Sequence, residues 1–398
     1  MNRRSPFKPL PLALALLCAG PVFAQPSPAS KLTATQAIKS RLHPFYAARE
    51  DAAPPAVKQK LAELRSHLAT QKSDFVVGYT SAMDRPLSQL AGGRPGADAQ
   101  VRAQKATLRG AEMYKLDQSA LVDFKRLNPH IVIPAAPACG AGLPAFDYRR
   151  LGKVTPVKDQ MSCGSCWDFA AVGALESSYL IRNNKTIDVS EQQILSCAHV
   201  GSCGGSWYDG VFDYMITHGA ATEADYPYLG SDAACKGGVP MPYRAVAHGV
   251  VHPEVGMPTP AQIKEALCQY GPLAVGVQAT PLFQASAGNT VLQESLPLTV
   301  VSAGKTYLNV NHCVLIVGWD DSKQAWLVKN SWGTNWGSDC GFGTERGYIW
   351  IKYGRNNIGV LPGWVTARSE HYFPDFHQMK RHYPLIVPLE KQLILKKK

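Results

Sequence analysis

The first apolar stretch of the chain, Leu10 to Leu17, is a short Leu/Ala-rich run that includes Pro11. After it the spacing turns helical. Val57, Leu61, Leu64 and Leu68 recur at i, i+4, i+7 and i+11, which puts them on one face of a helix opening after Pro54-Pro55. A break at Gly92-Gly93-Arg94-Pro95-Gly96 precedes a second helical stretch, Asp98 to Leu127. Pro, Ala and Gly then crowd Ile133 to Pro144, as in a linker or processing site. From about Leu143 to Ala367 strands, helices and turns rich in Gly, Trp and Tyr alternate. Within that region Cys166 heads a run of helix formers, Phe169 to Leu175, so it belongs in the first turn of a helix. Asn311-His312 opens a β-branched run, Cys313 to Trp319, which turns at Asp320-Asp321-Ser322-Lys323 and returns from Ala325 to Lys329. A hairpin centred on Asp321 predicts that His312 faces Asn330 across the strands.

Composition narrows the class. With 398 residues, 45% hydrophobic and 18% charged, the chain can bury a core, and it lacks both a three-residue glycine period and sustained heptads. The net charge of +11 is unevenly spread. Residues 1–138 hold 19 Lys and Arg against 9 acids, and 368–398 hold 7 against 3, whereas 139–367 hold 15 against 18. The centre is thus slightly acidic, which argues against a nucleic-acid partner.

Arg3, Arg4 and Lys8 ahead of the Leu10–Leu17 run, with Val22-Phe23-Ala24 behind it, predict a signal peptide over residues 1–24. The run is far shorter than the roughly 20 residues a spanning helix requires, and no other stretch is apolar enough, so no membrane span is expected. The predicted location is secreted or periplasmic, where cysteines meet an oxidising environment. Nine cysteines follow residue 24, so at least one lacks an intramolecular partner.

Candidate chemistry centres on Cys166. The positive end of a helix dipole favours a thiolate there, the form that attacks a carbonyl carbon. Cys163-x-x-Cys166 also fits a redox motif, and Cys163, Cys166, Cys197 and Cys203 a zinc set. A His312 facing the Asn330 amide favours acyl transfer. Cys166 would supply the sulfur, His312 the proton, and Asn330 the orientation of the imidazole, while Gln160 and the Cys166 backbone N–H receive the oxyanion.

Three strings, Gln160-Met161-Ser162-Cys163-Gly164-Ser165-Cys166-Trp167, Asn311-His312 and Lys329 through Gly337, resemble the papain family of cysteine peptidases. The separation of 146 residues from Cys166 to His312 fits that family. The resemblance covers about residues 143–367. It implies an α+β fold of two lobes, a helical left domain and a β-barrel-like right domain, behind a mainly helical prosegment. The organisation expected is a signal peptide (1–24), a prosegment (25–138), a catalytic domain (139–367) and a basic extension (368–398).

The function implied is that of a secreted endopeptidase made as an inactive precursor, acting on protein and peptide substrates and inhibited by its own prosegment. No metal or cofactor is implied. Alternatives on the same scaffold are an exopeptidase, a transpeptidase, or a secreted binding protein without catalysis. The resemblance further implies Cys163–Cys203 and Cys197–Cys235 disulfides, and substrate contacts from Gly204, Gly205 and Trp332. Absence of an acidic residue at Val365, Thr366 and Ala367 points to an apolar P2 residue. Cys139, Cys268, Cys313 and Cys340 receive no partner, Cys313 being read as a buried thiol. Departures from the family pattern are Ser206 for a glycine, Asp168 for a small residue in the first helical turn, and Asn311 for an aspartate.

Overall fold

The computed structural model describes residues 41–254, 256–343 and 345–372. The expected signal peptide and all but the first residues of the basic extension lie outside them.

Helix α1 (Pro44–Asp51) and helix α2 (Pro55–Thr70) each begin with proline, whose fixed φ suits a first helical position where no N–H is needed. Leu61 and Leu68 of α2 are buried, with Val57 and Leu64 packed beside them, as the spacing predicts. An extended stretch, a turn at Ser81–Asp84 and a short helical turn at Leu87–Leu90 lead to α3 (Ala99–Leu127), a helix of 29 residues. Its buried face is small: Ala99, Ala103, Ala106 and Gly110 let it approach its neighbours closely.

The region beyond the linker divides into helical and sheet parts. Helix α4 (Cys166–Asn183) is buried along nearly its whole length, flanked by α5 (Glu191–Cys197) and α6 (Asp209–Thr217). The strands are β1 (Ala145–Asp147), β2 (Ala245–Val250), β3 (Leu273–Val277), β4 (Val291–Leu292), β5 (Thr299–Ser302), β6 (Lys305–Leu308), β7 (His312–Asp320), β8 (Ala325–Lys329), β9 (Tyr348–Lys352) and β10 (Val360–Ala367). Helix α7 (Pro260–Tyr270) opens on a capping box made by Thr259 and Gln262.

The main sheet runs β2-β10-β3-β7-β8-β9-β4, with β1 paired to β7, and β5 and β6 form a separate hairpin. The sheet stays open, with β2 and β4 at its ends, so the barrel-like right domain expected from sequence is an unclosed sheet. Both of its faces are covered, which is why β7 reads as one continuous apolar run. Cys313, Leu315 and Val317 face the core that holds α4, while Val314, Ile316 and Trp319 face the core that holds α2 and α7.

The hairpin register differs from expectation. Asp320 pairs with Ala325 and Leu315 with Lys329, so the turn is the four residues Asp321–Gln324, and Val317 forms a bulge. Gln324, at φ 51°, closes the turn in the left-handed region. His312 pairs with Val277 of β3 rather than with Asn330, which follows the end of β8.

Candidate active site

Cys166 is the first residue of α4, with its thiol fully buried and free. Ser165 at the N-cap does not bond back to the helix. Its hydroxyl meets Tyr228 Oη at 2.7 Å, and that phenol donates to the Gln160 carbonyl at 3.0 Å, which ties the helix start to the preceding turn. His312 Nε2 meets Asn330 Oδ1 at 2.7 Å. An amide oxygen only accepts, so Nε2 carries the hydrogen and Nδ1 is left as the acceptor. That Nδ1 is buried and has no hydrogen-bond partner by ordinary geometry.

Burial pushes the Cys166 thiol up. The neighbouring Cys313 side chain and a positively charged His312 imidazole overcome that and hold it well below the ordinary thiol range. Cys313 is pushed well above, by burial and by Cys166 beside it. The thiol read from the sequence as buried in a strand is therefore an electrostatic neighbour of Cys166.

Aromatic rings wall the histidine. Trp332 lies 4.7 Å from the His312 ring, Phe283 5.8 Å away edge-on, and Trp336 packs on Trp332 at 5.4 Å. Trp332 is 1% exposed and contacts the imidazole.

A strand of the N-terminal region occupies the space between the lobes. Gln160 Nε2 donates to the Leu90 carbonyl at 2.9 Å and to the Cys163 carbonyl at 2.7 Å, while Gln160 Oε1 accepts from Ser331 Oγ at 2.7 Å. Gly93 N donates to Asn311 O at 2.7 Å, Arg94 N to Ser206 O at 2.8 Å, and Ser206 N to Gly92 O at 3.0 Å. Gly204 accepts from Arg94 Nε at 2.6 Å, and Gly205, at φ 113°, leaves room for the Gly92 carbonyl. A Cβ on Gly92 would stand 1.8 Å from Gly164 O, and one on Gly93 2.7 Å from His312 N. Only glycines fit so close to both lobes.

Sequence reasoning missed the polar cluster beneath the site. Lys158 Nζ lies 2.9 Å from Glu176, 2.8 Å from Asp188 and 3.1 Å from Glu191. Lys329, next to Asn330, donates to Thr155 O at 2.7 Å, and Thr155 Oγ1 donates to Glu176 at 2.5 Å. Burial would lower the Lys158 ammonium, but its carboxylates raise it well above the usual range. Burial lowers Lys329 to about 8 and raises Glu191 to about 8. The lysine directly before Asn330 was the one signal available in the sequence.

Asp168, in the first turn of α4, is fully buried, both carboxyl oxygens lack a partner, and burial, with Glu191 nearby, pushes it well above the carboxylate range. The disulfides Cys163–Cys203 and Cys197–Cys235 are present, and Cys163 is thereby removed from any redox or zinc role with Cys166. A third bridge, Cys139–Cys268, was not foreseen, and Cys340 is free and buried. Among the described residues no group of three or more His, Cys, Asp and Glu is arranged to hold a metal, and none of the helices is long and apolar enough to cross a membrane.

The sequence profile of the papain family cysteine protease matches residues 143–365, more than half of the chain. The chain belongs to that family. Cysteine proteinase 2 of Entamoeba histolytica is 36% identical to this chain over 224 residues, covering 54% of this chain and 65% of the relative. Cathepsin K of Gallus gallus is 37% identical over 210 residues, covering 52% and 57%. The match thus spans under two thirds of each of these relatives. The crystal structure of the Amb a 11 cysteine protease, a ragweed pollen allergen in its proform, superposes with a TM-score of 0.55 at 23% identity, covering 81% of this chain and 92% of that one. At that identity the likeness concerns the fold.

Proposed function

We propose that this protease is an endopeptidase, exported as a precursor that its own N-terminal region keeps inactive. The Cys166 thiolate attacks the carbonyl carbon of a peptide bond. Gln160 Nε2 and the Cys166 backbone N–H receive the oxyanion. His312, charged at Nδ1 and held through Nε2 by Asn330, returns the proton to the leaving amine, and water then releases the acyl group. Gly204, Gly205 and Ser206 line the substrate backbone, and an apolar P2 residue is preferred. Residues 1–24 direct export, and the prosegment lies within residues 25–138, ahead of a catalytic domain at 139–367.

The observation that carries this reading is the Leu90 carbonyl on the Gln160 amide. A peptide carbonyl of the prosegment occupies the donor that the chemistry needs, so the cleft binds peptide and is closed to substrate while that segment stays.

The test treats processed protein with iodoacetamide or an epoxide at mildly acidic pH and maps the alkylated thiol. Selective labelling of Cys166, lost in His312→Ala, is expected together with hydrolysis of a blocked internal peptide. Preferential labelling of Cys313 or Cys340 would overturn the assignment.

A further inference from the structure

Helix α3 sits inside the region read as prosegment, yet it is built into the fold that would remain. Ala99 and Ala103 belong to the same buried cluster as Cys166 and Trp167. A Cβ on Gly110 would stand 1.7 Å from the His248 carbonyl, so helix and strand β2 touch backbone to backbone. β2 ends the main sheet and pairs only with β10, leaving its outer edge unsatisfied. Thr107 of α3 covers that edge: its hydroxyl accepts from Val250 N at 2.9 Å and donates to Val250 O at 3.2 Å. An edge strand stripped of such cover is a template for unwanted pairing.

Charge and aromatic contacts run the length of the helix. Arg102 meets Asp209 at 2.7 Å, Arg109 pairs with Asp213, and Asp117, 3% exposed, accepts from Arg182 of α4 at 2.8 and 3.0 Å. Tyr114 packs on Tyr270 at 5.1 Å and Trp364 at 6.1 Å. A second, independent observation lies past the family match, which ends at residue 365. Tyr372 donates to Asp117 at 3.3 Å and packs on Phe124 at 5.9 Å. The chain beyond the catalytic region therefore docks on α3 as well.

The two ends of α3 differ. On its N-terminal side Leu90 to Gly93 are buried in the cleft, whereas Arg94 and Gly96-Ala97-Asp98 are exposed at its mouth. On its C-terminal side the linker is fastened by Cys139 to Cys268 of α7.

We propose that α3 is a resident part of the active protease, and that the activating cut falls in the exposed Arg94–Asp98 turn rather than in the 128–138 linker. This rests on the protease reading above. The cut adds one water across an amide: the C–N bond breaks, the acyl carbon becomes a carboxylate and the nitrogen a new α-ammonium. Everything from α1 to Gly93 then leaves as one piece and opens the cleft. α3 stays, held by its packing, the linker and the bridge.

The test uses the full chain. Wild-type precursor is left to process, and the active species is sequenced from its N-terminus and weighed intact, with and without reductant. The expected species contains residues 99–127 following a new N-terminus within 94–98, and reductant does not release them. An active species that lacks residues 99–127 before reduction overturns the proposal. A second arm separates this from failure of the protease reading: Cys166→Ala precursor is digested with a broad-specificity serine protease and gel-filtered. First cuts within 94–98, with the 29-residue helix co-eluting with the body, support retention whether or not the wild type processes itself. First cuts within 128–138 followed by loss of the helix overturn it.

Discussion

At the scale of single residues, the placement of Cys166 at a helix start and of His312 against Asn330 was legible, because each sits in a short string whose local structure is readable. The Lys158 cluster was not, since its members come from four separate stretches that meet only after folding. Cys313 was recognised as buried, but its contact with Cys166 depends on how β7 packs against α4. That contact makes a prediction. Cys313 beside it lowers the Cys166 thiol, so Cys313→Ala removes a stabiliser of the thiolate and raises its pKa. The alkylation-rate profile of processed Cys313→Ala should move to higher pH, and an unmoved profile would count against the contact. Asp168 makes another. Its folded-state carboxyl is raised, so the native state keeps a proton that an unfolded Asp releases above about pH 4. Stability from this group is present at low pH and falls as pH rises, because the native state binds more protons than the unfolded one. Asp168→Asn should therefore raise Tm at pH 7, with a gain that shrinks toward pH 4, as thermal melts at both pH values would report.

At the scale of elements, helices α2 and α3 were readable from periodicity and from the Pro and Gly breaks around them. The strand pair was readable as a pair, but its register was not. A turn of four residues and a bulge at Val317 move Asn330 beyond the ladder, and the imidazole and amide meet through side chains that reach past the end of β8. A continuous apolar run marks a strand buried on both faces and leaves the turn free to choose its length. The Cys197–Cys235 bridge links α5 to the loop after Tyr228 and closes a separation of 38 residues. Replacing both cysteines by alanine should cost about 2–4 kcal/mol, read from denaturant midpoints of the precursor.

At the scale of the molecule, the N-terminal region is fitted to the cleft by the smallness of two residues. Gly92→Ala places a methyl against the Gly164 carbonyl, so the segment cannot seat fully. The full chain carrying this change should label at Cys166 at least about tenfold faster than the unaltered full chain, since a seat that is weakened by 1.4 kcal/mol or more opens tenfold more often. Equal rates would mean that some other contact holds the segment in place. The bridge from Cys139 to Cys268 was not legible at all. It brings linker and α7 together only because β1 adds to β7 and draws the linker across the sheet. Thiol enzymes are handled in mercaptan to keep their sulfur active, and both partners of this bridge are only half-buried. A dose chosen to protect one thiol thus also decides whether the linker remains fastened, and two batches of identical sequence would leave the bench with different covalent connectivity.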